Sequence, residues 1–579
     1  MRDYRLFRMT LISMFLFVFV VFGSMNLAHT DLKKQKTKSV DIQVRKKEIR
    51  DKIKDVSIQT NEKDWWRDAI FYQIFMRSFQ DSNADGIGDI NGLIRRLDYL
   101  NDGDPKTKDD LGIDAIWLSP IFESPSYHGY DTTNYRKIQS VYGTLQDLQK
   151  LLKEAHKRGI RIILDLVINH TSRQHPWFRD SASSVKSRYR SWYIWKKKNP
   201  HWHQPWNAHS EVWHPFGKFF YYGLFWRGMP DLNLRHPATQ KEIFDITKYW
   251  LSQGVDGFRL DAARYLMADG KGSLQSDRPD THLFWRRYRK FCKKISDKTV
   301  LIGEIWSNIA SIAPYCKGDQ FDLAFQFPLS KAIYQSVTSM TVEPFWKVWK
   351  RSHLMKSYFG AIFLSNHDQE RIMSQLHDQK EMMRLAAMLL LTMTGTPFIY
   401  YGEEIALTNG TTNNDEAKRS PMLWDASKNA GFTKGKAWYP LSSHRKNNVD
   451  SQRKSSSSLF ALYRDLIKVR HRFVALRRGK MIPLKATIRG KPTSSVLVFM
   501  RQFKKQKMIV VINLSDQILR SVKVSLPCRV SGLSIVFREG QTKIKLQLTK
   551  NLSSFFVTLP SQGGFIATIK NTYLLGSKR

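Results

Sequence analysis

Cysteine is nearly absent from this chain. The three copies, Cys292, Cys316 and Cys528, are widely spaced and odd in number, which leaves no disulfide framework and no metal-ligand spacing. Acidic residues are scarce as well: 51 Asp and Glu face 93 Lys and Arg, a formal net charge of +42. Such a balance suits nucleic acid, an anionic surface or a lysine-rich background. No nucleic-acid-binding motif accompanies it and the excess reads as spread along the chain. A general solubility or surface-association effect is favoured, and no nucleic-acid partner is expected. Long apolar runs are missing apart from "LISMFLFVFVVF", Leu11 to Phe22. That run is short for a membrane span, which takes about 20 residues. Preceded by Arg2, Arg5 and Arg8 and followed by small and polar residues, it describes a secretory signal. Residues 1–28 are therefore expected to be a signal peptide or an uncleaved anchor, the only membrane contact expected, in a secreted or periplasmic protein. Residues 29–64 are charged and aperiodic and read as a linker.

What remains is ample for a large core. Of 579 residues, 42% are hydrophobic and 13% aromatic, with many tryptophans between Trp177 and Trp226. From Trp65 onward, apolar runs alternate with amphipathic helical stretches such as "LQDLQKLLKEAHKRG". The runs are "AIFYQIF", "IDAIWLS", "IRIILDLVI", "VDGFRLD", "VLIGEIW", "FDLAFQF", "GAIFLSN" and "GTPFIYY". Eight strands with intervening helices predict an α/β fold, a TIM (β/α)8 barrel over 65–477. The interval 171–233, rich in Trp, Tyr and His, is too long for a loop and reads as a domain inserted after the third strand. Short strands from about Arg478, including "SSVLVFM" and "MIVVINL", predict a C-terminal antiparallel β-sandwich over 478–579.

Polar residues recur at the ends of the apolar runs. They are Asp165, Asn169 and His170 in "DLVINH", Arg259 and Asp261 in "GFRLDAARYL", Glu304 in "IGEIW", and His367 and Asp368 in "FLSNHD". Strand alternation points Arg259 and Asp261 to one face, which taken alone is a structural ion pair. Barrel enzymes gather their chemistry at the C-terminal strand ends, so the set places four carboxylates, two histidines and an arginine at one mouth. Separately, "DSNADGIGD" offers oxygen donors at Asp81, Asn83, Asp85 and Asp89, with the Ile87 carbonyl between them. Alternating oxygens with glycines at sharp turns suit Ca²⁺, although the distal glutamate of an EF-hand is missing; the plain alternative is an Asp/Asn/Gly turn.

Taken in order, "DLVINH", "GMPDLN", "GFRLDAARYL", "IGEIW" and "FLSNHD" resemble the alpha-amylase family of glycoside hydrolases, family 13, from about Trp65 into the C-terminal domain. The resemblance implies Asp261 as nucleophile, Glu304 as acid/base and Asp368 as the carboxylate that holds and distorts the sugar. In "YHGYDTTNY" it implies that Tyr130 stacks under the sugar while His128 and Asp131 contact ring hydroxyls; the residues alone make Tyr130 a core or loop aromatic. Arg259, His170 and His367 complete the expected substrate site, Arg259 by favouring ionised Asp261, the histidines by binding sugar hydroxyls or orienting other side chains. The family's habit of binding calcium in the Asp81 loop implies a structural Ca²⁺. "GMPDLN" resembles the group between oligo-1,6-glucosidases and neopullulanases, which includes secreted bacterial alpha-amylases. Leu423 departs from the glutamine usual before the tryptophan in the glucosidase-like branch. A monomeric retaining alpha-amylase that cleaves α-1,4 bonds of starch, glycogen or maltooligosaccharides is expected. The alternatives are an exo-acting alpha-glucosidase, an oligo-1,6-glucosidase or a glucan transferase. A catalytically silent transporter subunit is disfavoured, because all three carboxylates stand.

Overall fold

Period-two alternation in the apolar runs fixes which side chains fill a barrel and which face its helices. In the computed structural model, which describes residues 62–107, 109–353, 360–442, 446–540 and 544–573, all eight runs are strands. They are β1 (Phe71–Ile74), β2 (Ala115–Leu118), β3 (Arg161–Leu166), β4 (Gly257–Leu260), β5 (Val300–Gly303), β6 (Leu323–Phe325), β7 (Gly360–Phe363) and β8 (Thr396–Tyr400). Each lies parallel to the next, and β8 closes on β1 with Phe71 opposite Phe398. Phe71, Trp117, Ile163, Ile302, Phe325, Phe363 and Phe398 pack the interior. Their neighbours Tyr72, Ile116, Leu164, Phe258 and Leu301 belong to the layer against the helices. The expected signal segment and linker up to residue 61 lie outside the described residues. Among the described residues, no helix is long and apolar enough to cross a membrane.

Helix α1 (Leu145–Lys157) shows why the crossovers form. Thr144 and Asp147 make a capping box, and Leu148, Leu151, Leu152 and Ala155 bury one face at helical spacing. Helices α2 (Pro237–Ser252) and α3 (Pro279–Ile295) both start on a proline, whose missing N–H costs nothing in the first turn. Between β3 and α2 the chain leaves the barrel to form a short three-stranded sheet, Trp195–Lys196, Phe219–Tyr222 and Trp213–Phe216. Its two ends meet at a bridge between His170 and Asp231. There the Leu232 N–H donates to the Asn169 carbonyl at 2.8 Å and the Asn169 amide donates to Asp231 at 3.0 Å. Burial pushes the Asp231 carboxyl up to about 8, so it sits in this pinch as a neutral group at neutral pH.

Beyond the barrel, two five-stranded antiparallel sheets run from Lys480 to Tyr573. Val498, Val511, Val524, Phe555 and Phe565 form a core of their own, while Leu497, Phe499, Val510 and Ile512 join the barrel's core. Residues 480–579 hold 18 Lys and Arg against two acids, Asp516 and Glu539. That stretch carries +16 of the +42, so the larger part of the excess lies along the rest of the chain. Two buried arginines converge on the end of helix α4 (Lys380–Thr392), whose last carbonyls lack helical partners, Arg470 from within the barrel and Arg501 from a sheet strand, so that Arg501 ties the sheets to the barrel. Arg470, on α5 (Leu459–Arg472), donates to Leu391 at 3.0 Å and Gly395 at 2.5 Å. Arg501 donates to Thr392 at 2.5 Å and Gly479 at 3.0 Å. Replacing Arg501 by methionine keeps most of the volume but strands two buried carbonyls. It is expected to cost about 2–4 kcal/mol of stability, read as a lower denaturant midpoint; an unchanged midpoint would show that water takes over the two acceptors.

Candidate active site

The register of β3 and β4 sets Asp165 beside Arg259, both pointing into the barrel. Two residues further along the same face stands Asp261, and the Glu304 N–H, just past β5, donates to the Leu260 carbonyl at 3.0 Å. One guanidinium therefore meets three carboxylates. Arg259 Nη1 donates to Asp165 at 2.9 Å and to Asp261 at 2.7 Å, and Nη2 lies 2.7 Å from Glu304. Ala262 turns left-handed at φ 49° and presents its N–H to Glu304 at 3.2 Å. That conformation is costly for a residue with a Cβ and is held by the contacts around it.

These neighbours separate the carboxyl groups chemically. Burial pushes Asp165 and Asp261 up to about 6, against the pull of Arg259. Burial raises Glu304 as well; Arg259 opposes it and the charges of Asp261 and Asp368 reinforce it, leaving Glu304 at about 7. The pull of Arg259 on Asp261 expected from the sequence is present, but it does not cancel burial. Asp368 behaves oppositely. Burial would raise it, yet His367 at 3.1 Å and Arg419 at 3.2 Å outweigh that and hold it well below the usual carboxylate range.

His367 is wholly buried, and burial keeps it below the ordinary imidazole range. The Gln73 amide donates to its Nδ1 at 2.7 Å, which places the proton on Nε2, toward Asp368 and the Tyr130 hydroxyl at 2.6 Å. Tyr130 stacks on His367 with ring centroids 5.3 Å apart, and its hydroxyl donates to Asp165 at 3.0 Å. Burial likewise drops His170 to about 3, and its Nε2 has no hydrogen-bond partner.

Asp261, Glu304 and Asp368 line one cavity of about 690 Å³, together with His128, Tyr130 and His170. Arg259 does not line it: at 1% exposure it stands behind the carboxylates and orients them, rather than joining the substrate-contacting set. His367 likewise supports Asp368 and Tyr130 from behind. Asp131 faces a neighbouring cavity, its Oδ1 accepting the Ser124 hydroxyl at 2.7 Å. Sequence reasoning missed Arg419, which donates to the Tyr127 hydroxyl at 2.8 Å and the His367 carbonyl at 3.0 Å while pairing with Asp368. It also missed Gln73 and a wall of Trp206, Phe225 and Tyr265, whose rings meet at 5.3 to 6.2 Å. The aromatic density of the insert was the available signal for that wall; Arg419 opens the stretch "RSPMLWD", whose likeness to the glucosidase-like branch drew attention to Leu423 and not to the arginine.

In the Asp81 loop the donors turn inward. Asp81 accepts the N–H groups of Asn83, Ala84 and Gly86, Asp85 accepts that of Ile87 at 2.8 Å, and Asp89 accepts those of Ser82 and Gly92 at 2.7 Å. Among the described residues no three His, Cys, Asp or Glu side chains gather as a metal-holding group. The oxygens are nonetheless all hard donors on one short loop; those of Asn83, Asp85 and Asp89 accept one donor each and keep a second lone pair, whereas both Asp81 oxygens are fully engaged by Asn83, Ala84, Gly86 and Thr433. In donor type the set suits a hard cation such as Ca²⁺, with Asn83, Asp85, Asp89 and the Ile87 carbonyl better placed to give up a lone pair than Asp81.

Comparison with known proteins extends this geometry. Residues 73–479 match the family described as alpha amylase, catalytic domain. Alpha-amylase 3 of Dictyoglomus thermophilum is 38% identical over 459 residues, covering 78% of this chain and 85% of that protein. The trehalose-6-phosphate hydrolase of Bacillus subtilis is 31% identical over 523 residues, covering 79% and 91%. The crystal structure of an alpha-amylase from H. orenii is similar with a TM-score of 0.78 at 36% identity, covering 87% of this chain and 99% of that one. A closed eight-stranded barrel, three carboxylates around one cavity and a family match over most of the chain lead to one conclusion: this protein belongs to the alpha-amylase family of glycosidases.

Proposed function

We propose that the protein is an alpha-amylase that hydrolyses internal α-1,4-glucosidic bonds of glucans with retention of anomeric configuration. The observation that carries this reading is the pairing of Asp261 and Glu304 on one guanidinium, facing the cavity that Asp368 also lines. Each carboxyl lies 2.7 Å from a terminal nitrogen of the same guanidinium, which keeps the two close together. An inverting pair stands about 6.5–9.5 Å apart to hold a water between its carboxyls, whereas a retaining pair is closer.

Glu304, the weaker acid, donates its proton to the glycosidic oxygen while ionised Asp261 attacks the anomeric carbon. The C–O bond to the leaving sugar breaks and a glycosyl ester forms on Asp261. Water then attacks that carbon, giving its proton to Glu304 and displacing the Asp261 carboxylate. Asp368, kept ionised by His367 and Arg419, accepts hydrogen bonds from sugar hydroxyls near the reacting carbon. Trp206, Phe225 and Tyr265 offer apolar faces to neighbouring glucosyl residues, and a cavity of this size takes more than one. That openness favours a chain over a single terminal sugar. Leu423, which departs from the glucosidase-like pattern, is fully buried and does not line the cleft. The Asp81 loop is proposed to hold Ca²⁺ through Asp81, Asn83, Asp85, the Ile87 carbonyl and Asp89, offsetting its three negative charges and stiffening a turn beside the barrel.

Activity requires Asp261 ionised and Glu304 protonated, so it should fall below about pH 6 and above about pH 7. Asp261→Asn should lower kcat by about a thousandfold or more while circular dichroism stays unchanged, and normal turnover by that variant would refute the nucleophile. Soluble starch should first yield long fragments; immediate release of glucose alone would instead support the exo-acting alternative. Arg259→Gln removes the cation beside Asp261 and so favours its protonated form. The acid limb of the pH profile should move up, and an unmoved limb would mean that Arg259 does not set it. Chelation by EDTA should lower the melting temperature, with recovery on adding Ca²⁺ but not K⁺.

A further inference from the structure

Next to the cleft lies a second cavity, of about 820 Å³, in the inserted segment. Trp226 borders both cavities and is half exposed. Its indole lies against the backbone of Gly228, where a Cβ would meet the ring at 2.1 Å, so only glycine leaves room for it. The second cavity is lined by Arg173, Arg179 and Arg227, all exposed. Among the described residues none of the three has an ion-pair partner, and Arg173 lies over the Phe216 ring at 5.3 Å. Arg136, Arg158, Arg235, Arg278 and Arg286 each hold a carboxylate within 3.0 Å, whereas these three, which share one cavity, have none among the described residues. The one acid on the lining, Asp131, is buried and bound by the Ser124 and Ser126 hydroxyls. Three guanidinium groups with no counter-ion among the described residues, around a space that shares the Trp226 wall with the catalytic cavity, are placed to receive an anion.

We propose that this cavity is an anion subsite that receives a phosphate ester carried by the sugar chain being cleaved. A phosphate monoester is dianionic at neutral pH and offers three acceptor oxygens, which match the forked N–H donors of several arginines better than a single carboxylate does. Trp226, half exposed, supplies an aromatic face for the sugar that carries it, while Phe216 backs the Arg173 guanidinium. Trp226 lines both spaces, so a chain seated at Asp261 and Glu304 that passes over this indole enters the cavity of the arginines. The proposal rests on the retaining-hydrolase reading, and it names which substrates that site prefers.

Binding and turnover test it separately. Maltotetraose and its 6-phosphate ester are titrated calorimetrically onto Asp261→Asn, with inorganic phosphate as a third ligand. The ester is expected to bind at least tenfold tighter than the neutral sugar, and this advantage should vanish when Arg179→Gln and Arg227→Gln are added. In the otherwise native enzyme, the same two substitutions should lower kcat/KM for the ester tenfold or more and leave maltotetraose unchanged. Equal affinity for ester and neutral sugar would overturn the subsite. So would an equal fall in kcat/KM on both substrates, or inorganic phosphate alone binding as tightly as the ester. Absence of turnover on either substrate would defeat the hydrolase reading instead, and the calorimetric comparison would still decide the subsite.

Discussion

Arg259 is one positive charge serving three carboxyl groups, and the chemistry of the barrel mouth follows from that shortage. Buried at 1% exposure, it donates to Asp165 and Asp261 and lies in salt-bridge range of Glu304. A buried carboxylate is costly unless paired, and one cation cannot fully compensate three anions in a low-dielectric interior. The surplus is relieved by retaining a proton. Glu304 keeps it longest, since it also feels the charges of Asp261 and Asp368. An arrangement that looks like an ion pair therefore works as a way of holding an acid at neutral pH. Asp368 escapes the same logic because it has two further partners, His367 and Arg419. Two carboxylates thus share a cleft with opposite acidities because of what stands behind each.

The geometry depends on strand register. Asp165 and Arg259 face each other because Gly257 sits opposite Ile163 and the strands run parallel. A slip by one residue would send Arg259 toward the helix layer, where Phe258 and Leu260 now pack. Those two apolar residues therefore fix the catalytic face from the opposite side of the strand. The left-handed Ala262 then directs the chain back so that its N–H meets Glu304.

How much of this was legible in the sequence follows from the same physics. All eight staves could be read, because each is an apolar run whose alternation has a physical cause, and the clustered carboxylates followed from the convergence of strand ends. Contacts set by long-range packing could not be read. Arg419 lies far along the chain from Asp368, in a segment with neither strand nor helix periodicity, and only the closed barrel brings them together. Gln73 looks like an ordinary strand residue, yet the barrel places it on His367. That Arg259 stands behind the carboxylates and not on the cavity wall was hidden for a related reason. Alternation tells which face a side chain takes, but not whether other groups stand between it and the cavity.

The bridge between His170 and Asp231 bears on how such an enzyme can change. The insert spans about 60 residues, but its ends are joined by adjacent hydrogen bonds at one point on the barrel rim. For the barrel, that excursion is equivalent to a closed loop of fixed ends. Doubling the length of a flexible loop adds only about 0.6 kcal/mol of closure entropy. The segment carrying Trp206, Phe225 and Trp226 can therefore be lengthened, shortened or exchanged at small thermodynamic cost, provided the pinch of Asn169 and Asp231 remains. Substrate range and reaction chemistry are in this way inherited separately: the first by a replaceable excursion, the second by a register that tolerates no slip.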